Sequence, residues 1–288
     1  MTKKCDVLVL GATGMLGSAV LKYFFSRRQY SVIGTMRGFN VPSGLEALES
    51  CVIGGIDVEN IDMLTSMLAQ YKPSYVINCV RLVKQLAESN DPLKCMPINS
   101  LLPHRLAHLC DLGNAKFIHI STDCVFDGKK GMYLESDCPN ARDLYGRSKL
   151  LGEVDYSNSI TLRTSIIGHE IGLGHSLLEW FLKQKEPSIY GFSKAVFSGF
   201  PTVELARIIH DYVITKPSIH GLYHVSSNPI NKYELLKLIA KEYSKNIEVK
   251  VDDSLVIDRS LDSSNFCEAT GFQSRSWQEM LAIMREFG

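Results

Sequence analysis

The chain has 288 residues, enough for one large core or two smaller ones, and its 31 basic and 31 acidic side chains cancel without a long run of either sign. That balance argues against nucleic acid or an anionic membrane surface as a main partner. Eight cysteines without CxxC pairing read as reduced thiols, no ligand cluster marks a metal, and the apolar stretch after Met1–Asp6 is too short for a signal peptide or a membrane span. The expected setting is the cytoplasm.

In chain order, Val7–Leu10 reads as a buried strand, followed by Gly11-Ala12-Thr13-Gly14-Met15-Leu16-Gly17 and a helical pattern to about Phe25. In a GxxGxxG between strand and helix, Gly11 permits the tight turn and Gly14 lets backbone approach a pyrophosphate. Gly17 lets helix and strand pack closely. Thr13, Met15 and Leu16 complete this loop and are expected at the dinucleotide. A second strand, Ser31–Thr35, runs into Met36-Arg37 with no acid at its end. Arg37 is then placed to meet the 2′-phosphate of NADPH, with NADH as the alternative; a solvated surface arginine is the other reading. Asp57-Val58, after a strand at Cys51–Ile53, either contacts the adenine or starts the Ile61–Tyr71 helix.

Tyr75–Val80 is the next apolar strand, and its end, Asn78-Cys79-Val80, is expected to open onto the cofactor. Arg81 and Lys84 follow as an anion contact or as exposed charge. A helix from about Pro97 to Leu112 carries Asn99 near its start, a further cofactor-side candidate. The strand Lys116–Ile120 delivers Ser121-Thr122-Asp123-Cys124 to the same edge. Alternating strands and helices predict a Rossmann-like α/β fold, a doubly wound parallel sheet. Residues 1–165 form the expected dinucleotide-binding domain, and 166–288 mainly a smaller α/β substrate lobe with some segments returning to the first.

Tyr145 and Lys149 stand four apart, one turn along a single helix face. A phenol titrates near ~10 and is a weak acid catalyst at neutral pH; a neighbouring ammonium is expected to lower that value. Together they can pass a proton to a substrate oxygen, although this pair is also common on any amphipathic helix.

Beyond about Gly168 the pattern predicts a helix at Ser176–Gln184 and a strand at Ser188–Gly191. A helix capped by Thr202 then runs to Thr215, and a strand follows at Gly221–Val225. A helix capped by Asn231 runs to Tyr243, followed by a strand at Ile247–Val251. Trp180 and Trp277 read as packing residues rather than sugar platforms. Arg259 suits a nucleotide diphosphate, or else a structural salt bridge.

Four stretches in order, GATGMLG, the NCV strand end, STDCVFDG and YGRSK with LLGE, resemble the extended short-chain dehydrogenase/reductases, most nearly the dTDP-4-dehydrorhamnose reductase group. Leu162-Arg163-Thr164-Ser165 is similar to that group's RTS strand, and Arg259-Ser260-Leu261-Asp262 to a late segment. The resemblance implies an NADPH-dependent reductase of the C4 ketone of a nucleotide-linked 4-keto-6-deoxyhexose, in polysaccharide or glycoconjugate synthesis. By it, Thr122 bonds the carbonyl oxygen, Tyr145 donates the proton, and Lys149 holds the nicotinamide ribose and tunes Tyr145. Arg81, Asp123, Cys124 and Arg259 face the substrate, and a homodimer is one expected state.

The chain departs from the pattern at Cys124, where the family commonly has tyrosine, and at Ile166-Ile167, where it often has an aromatic pair. Asp123 lacks the following glutamate of the related dehydratases. Cys124 holds the place of a cysteine that works with a histidine in GDP-fucose synthase. A 3,5-epimerase/4-reductase using Cys124 and His175, with His169 competing for that role, is therefore the second expectation. A third is an NADP-binding regulatory subunit resembling that of methionine adenosyltransferase.

Overall fold

A computed structural model describes residues 5–82, 90–172 and 176–288. Its centre is a seven-stranded sheet of β1 (Val7–Leu10), β2 (Val32–Thr35), β3 (Val52–Ile53), β4 (Tyr75–Asn78), β5 (Lys116–Thr122), β6 (Ser159–Thr164) and a strand at Gly221–His224. Every pairing in it is parallel. From one edge the order is Gly221–His224, β6, β5, β4, β1, β2, β3. The chain winds outward from β1 to β3, then returns to lay β4 on the other side of β1. The strand ends therefore diverge between β1 and β4, the place where such sheets open a crevice.

The strands are apolar on both faces because helices cover both. Along β1 the pattern alternates: Val7 and Val9 enter one core layer, Leu8 and Leu10 the other. The first layer lies under α1 (Met15–Arg27) and the second under α2 (Ile61–Tyr71). Among the described residues no helix is long and apolar enough to cross a membrane.

The helix expected from Pro97 begins earlier. Asp91 caps α3 (Pro92–Met96), its carboxylate accepting from the Leu93 amide at 2.9 Å; a wide turn at Pro97–Leu101 leads into α4 (Leu102–Leu112). Pro97 has no N–H to give the ladder, and the wide turn accommodates that loss. The short helix α5 (Leu144–Leu151) is capped by Asp143, which accepts from the Gly146 amide at 2.9 Å.

After β6 come α6 (Leu177–Leu182), α7 (Thr202–Ile208) and α8 (Lys232–Glu242). Asn231 caps α8 as expected, accepting from the Glu234 amide at 2.8 Å. Thr202 does not cap α7: Pro201 holds that position without a side-chain bond, and Thr202 packs on Gly168. Ribbons at Ser188–Phe192 with Glu248–Asp252, and at Ala195–Phe197 with Ile230–Asn231 and Ile257–Asp258, overlie the site. A closing helix, Trp277–Phe287, is fixed by a reciprocal cap between Ser276 and Glu279.

Candidate active site

The glycine loop at the end of β1 has the geometry that a dinucleotide needs. Gly11 sits at φ +78°, and a Cβ on Gly17 would lie 2.1 Å from the Gly11 carbonyl oxygen. Gly14 caps α1 without a side chain and no acid follows in the first turn, so among the described residues no side chain takes up the amides of the helix N-terminus. Thr13 and Met15 are partly open on the same loop, whereas Leu16 is buried in the core and can serve only through its backbone. Cys79 and Val80 approach Gly11 from the end of β4, within 3.3 and 3.2 Å of a Cβ built there. Arg37 is exposed beyond β2. The Asp57 carboxylate accepts from the Glu59 amide at 3.0 Å, and Asn60, rather than Asp57, caps α2. Val58 packs against the core layer beneath. These residues fit a dinucleotide lying across the β1–β4 crevice.

Two expected cofactor side chains are turned inward. The Asn78 Oδ1 accepts from the Val80 amide at 3.1 Å, and its Nδ2 meets His119 Nδ1 at 3.3 Å. Asn99 accepts from the Leu82 amide at 3.1 Å and donates to the Leu82 carbonyl at 3.2 Å. Its amide thus clamps the loop carrying Arg81 to the turn before α4.

Beside that crevice, β5 ends at Thr122, whose hydroxyl accepts from the Cys124 amide at 3.2 Å and donates to the Asp123 carboxylate at 3.2 Å. Tyr145 and Lys149 lie buried on one face of α5, as their spacing requires. The expected lowering of the tyrosine does not occur. Burial pushes its hydroxyl up to about 12, with the nearby Arg81 charge and the Thr122 hydroxyl pulling the other way. Lys149 is itself buried and held down at about 7 by desolvation and by Arg81. Its amine donates to the Ile120 carbonyl at 2.8 Å and lies 3.3 Å from His119 Nε2. Tyr145 is a neutral acid here, the form that gives a proton away.

Lateral to Tyr145 a cleft of about 550 Å³ is lined by Asp123, Cys124, Trp180, Phe192, Lys232 and Arg259 among others. Arg259 donates through Nε to the Phe126 carbonyl at 2.9 Å and brings Nη1 within 3.8 Å of the Cys124 sulfur. Burial pushes the Cys124 thiol up to about 12, with Asp123 adding to the effect, so the thiol stays protonated. Burial raises the Asp123 carboxyl as well, against the opposing Arg259 charge.

Trp180 is 42% exposed on the cleft wall, which overturns its reading as a packing residue; Trp277 is 6% exposed and donates to the Asn228 carbonyl at 2.8 Å, as packing requires. Lys84 and His175 lie outside the described residues. His169 pairs with Glu179 at 3.0 Å and Tyr243 at 2.9 Å, and it is not among the residues lining the cleft.

Sequence reasoning missed Lys232 and His119. Lys232 opens α8 with its amine 4.2 Å from the centre of the Phe197 ring, and burial lowers it to about 8 against the pull of Asp123 and Cys124. Its only sequence signal is its place directly after a helix cap. His119 sits within a strand whose apolar pattern reads as core.

The comparisons agree with this geometry. A dTDP-4-dehydrorhamnose reductase of Aggregatibacter actinomycetemcomitans is 25% identical over 98% of each chain. A probable low-salt glycan biosynthesis reductase of Haloferax volcanii is 34% identical over 50% of this chain, which there spans only 46% of the relative. The methionine adenosyltransferase 2 subunit beta of Pongo abelii is 28% identical over 83% of this chain and 72% of its own. A hypothetical dTDP-4-dehydrorhamnose reductase from Sulfolobus tokodaii, of solved structure, superposes with a TM-score of 0.77 at 25% identity, covering 94% of this chain and 98% of that one. The RmlD substrate binding domain matches residues 5–286, and the chain belongs to that family.

Proposed function

We propose that this protein is an NADPH-dependent reductase of the C4 ketone of a nucleotide-linked 4-keto-6-deoxyhexose, working in glycan precursor synthesis. The observation that carries the reading is a buried, neutral Tyr145 on one helix face with Lys149, in a fold that also holds a glycine loop fit for a dinucleotide and a cleft walled by Arg259, Lys232 and Trp180. The similarity to the Aggregatibacter reductase supports the sugar class.

Gly11, Thr13, Gly14, Met15 and Gly17 would hold the pyrophosphate, and Arg37 the 2′-phosphate. When bound, the reduced nicotinamide supplies the hydride. Tyr145 gives its proton to the C4 oxygen while the Thr122 hydroxyl fixes that oxygen's position. Arg81 and Lys149 then neutralise the phenolate left behind. Arg259 and Lys232 offer paired cations to the substrate diphosphate, and Asp123 and Cys124 line the sugar's side. A cytoplasmic setting and a homodimer belong to the same proposal.

A thiol held near 12 is a poor proton shuttle at neutral pH, which favours plain reduction over Cys124-assisted epimerisation. The test is product analysis by NMR after incubating the protein with NADPH and dTDP-, UDP- or GDP-linked 4-keto-6-deoxyhexoses. The proposal expects a C4 alcohol with C3 and C5 unchanged. Inversion at C3 or C5 would make Cys124 catalytic, and tight NADPH binding without reduction of any sugar would point to a regulatory subunit.

A further inference from the structure

Against Lys149, outside the cleft lining, lies a run of buried polar groups that the reaction as described does not use. Its outer end is fixed by backbone. Because the Val80 amide donates to Asn78 Oδ1 at 3.1 Å, the amide of Asn78 is oriented, and its Nδ2–H faces His119 Nδ1 at 3.3 Å. His119 Nδ1 must therefore accept. Burial holds this imidazole well below its ordinary value, so it is neutral and carries one N–H, which the Asn78 bond assigns to Nε2. Nε2 lies 3.3 Å from the Lys149 amine. An ammonium there would set donor against donor. An unprotonated amine can accept from Nε2–H and still donate to the Ile120 carbonyl at 2.8 Å.

We infer that Asn78 and His119 form a buried arm behind Lys149, in which the His119 Nε2–H donates to the lysine amine and so drives the amine's proton toward Tyr145. His119 is thus a positioning residue, and the inference rests on the reductase reading of Tyr145 and Lys149. In the proton balance, the Tyr145 O–H bond breaks as its proton joins the substrate oxygen. A proton held on Lys149 Nζ then restores the phenol. The amine left behind accepts the His119 hydrogen bond until it takes a proton back from solvent. The other groups facing Lys149 divide in sign: Arg81, from the end of β4, disfavours the ammonium, while Glu153 beyond α5 and Cys95 on α3 favour it. His119, on β5, tips this balance toward the unprotonated form.

The test uses the whole protein without cofactor or sugar. Nitrogen-15 correlation spectra of the unaltered protein should show His119 as the Nε2–H tautomer, and the Lys149 amine should titrate near 7, as its surroundings set it. In His119→Leu, which removes the donor, the lysine should titrate roughly one unit higher; His119→Gln, whose amide can accept from Asn78 and donate to Lys149, should stay near the unaltered protein. An Nδ1–H tautomer in the unaltered protein would overturn the inference. So would a lysine titration that His119→Leu leaves in place. Neither readout requires turnover, so a protein that reduces no ketone still returns them, and an adverse tautomer leaves the reductase reading intact.

Discussion

The Glu153 carboxylate grips the Arg163 guanidinium with both oxygens, at 2.6 and 2.8 Å, in a largely enclosed pair between the end of α5 and β6. The same carboxylate accepts from the Ser121 hydroxyl at 2.6 Å, one residue before Thr122. The pair therefore ties the helix of Tyr145 and Lys149 to the strand that presents Thr122. Removing one member leaves a buried unpaired charge, at a cost of about 3–5 kcal/mol. Glu153→Gln should lower stability by that order in denaturant titration and reduce turnover beyond what unfolding explains.

Gly17 is the second structural commitment, because a methyl there would meet the Gly11 carbonyl oxygen at 2.1 Å. That neighbour is backbone and cannot swing aside. Gly17→Ala should cost about 1–3 kcal/mol and spread the glycine loop from α1. Calorimetry would then show dinucleotide binding weakened more than nucleotide-sugar binding.

His224 gives the fold a pH dependence of definite sign. Its Nδ1 meets the Tyr133 carbonyl at 2.9 Å and its Nε2 lies 3.2 Å from Arg163, and burial with the Arg163 charge lowers it from 6.5 to about 4. Between those values the unfolded chain holds a proton that the folded chain refuses, so stability falls as pH drops from 6.5 toward 4. The full loss from this group is about 3 kcal/mol. His224→Gln should flatten the slope of unfolding free energy in that window, whatever it does to stability at neutral pH.

Lys232 is predicted to act on substrate rather than on chemistry. It lines the cleft with Arg259, and no residue of the glycine loop is in that lining. Loss of a charge-assisted contact of about 1.5–3 kcal/mol corresponds to roughly a tenfold to hundredfold rise in KM. Lys232→Met should show that rise with kcat changed far less, and with NADPH affinity unaltered.

Much of this arrangement was legible before folding. The glycine spacing and strand periodicity report local geometry, and the Tyr145–Lys149 interval reports a helix face, so the parallel sheet and the shared helix face of that pair followed directly. The harder features depend on pairings distant in sequence. Asn78 and Asn99 stood at cofactor-facing strand and helix ends, yet their amides are taken up by His119 and Leu82. No local pattern distinguishes an exposed tryptophan from a buried one at helical spacing, so the sequence presents Trp180 as a packing residue although it is exposed on the cleft wall. The tyrosine's elevation was also invisible, since spacing reports that Lys149 is near but not how deeply the phenol itself is buried.

The most direct measurement is NADPH oxidation by Tyr145→Phe beside the unaltered protein, with a dTDP-linked 4-keto-6-deoxyhexose as substrate and cofactor affinity measured in parallel. The account predicts that the variant binds NADPH as before and loses on the order of 10²–10⁴-fold in kcat, the contribution of one positioned proton donor. A variant that reduces the ketone at nearly the normal rate would contradict Tyr145 as the acid and, with it, the assignment of this cleft as the site of reduction.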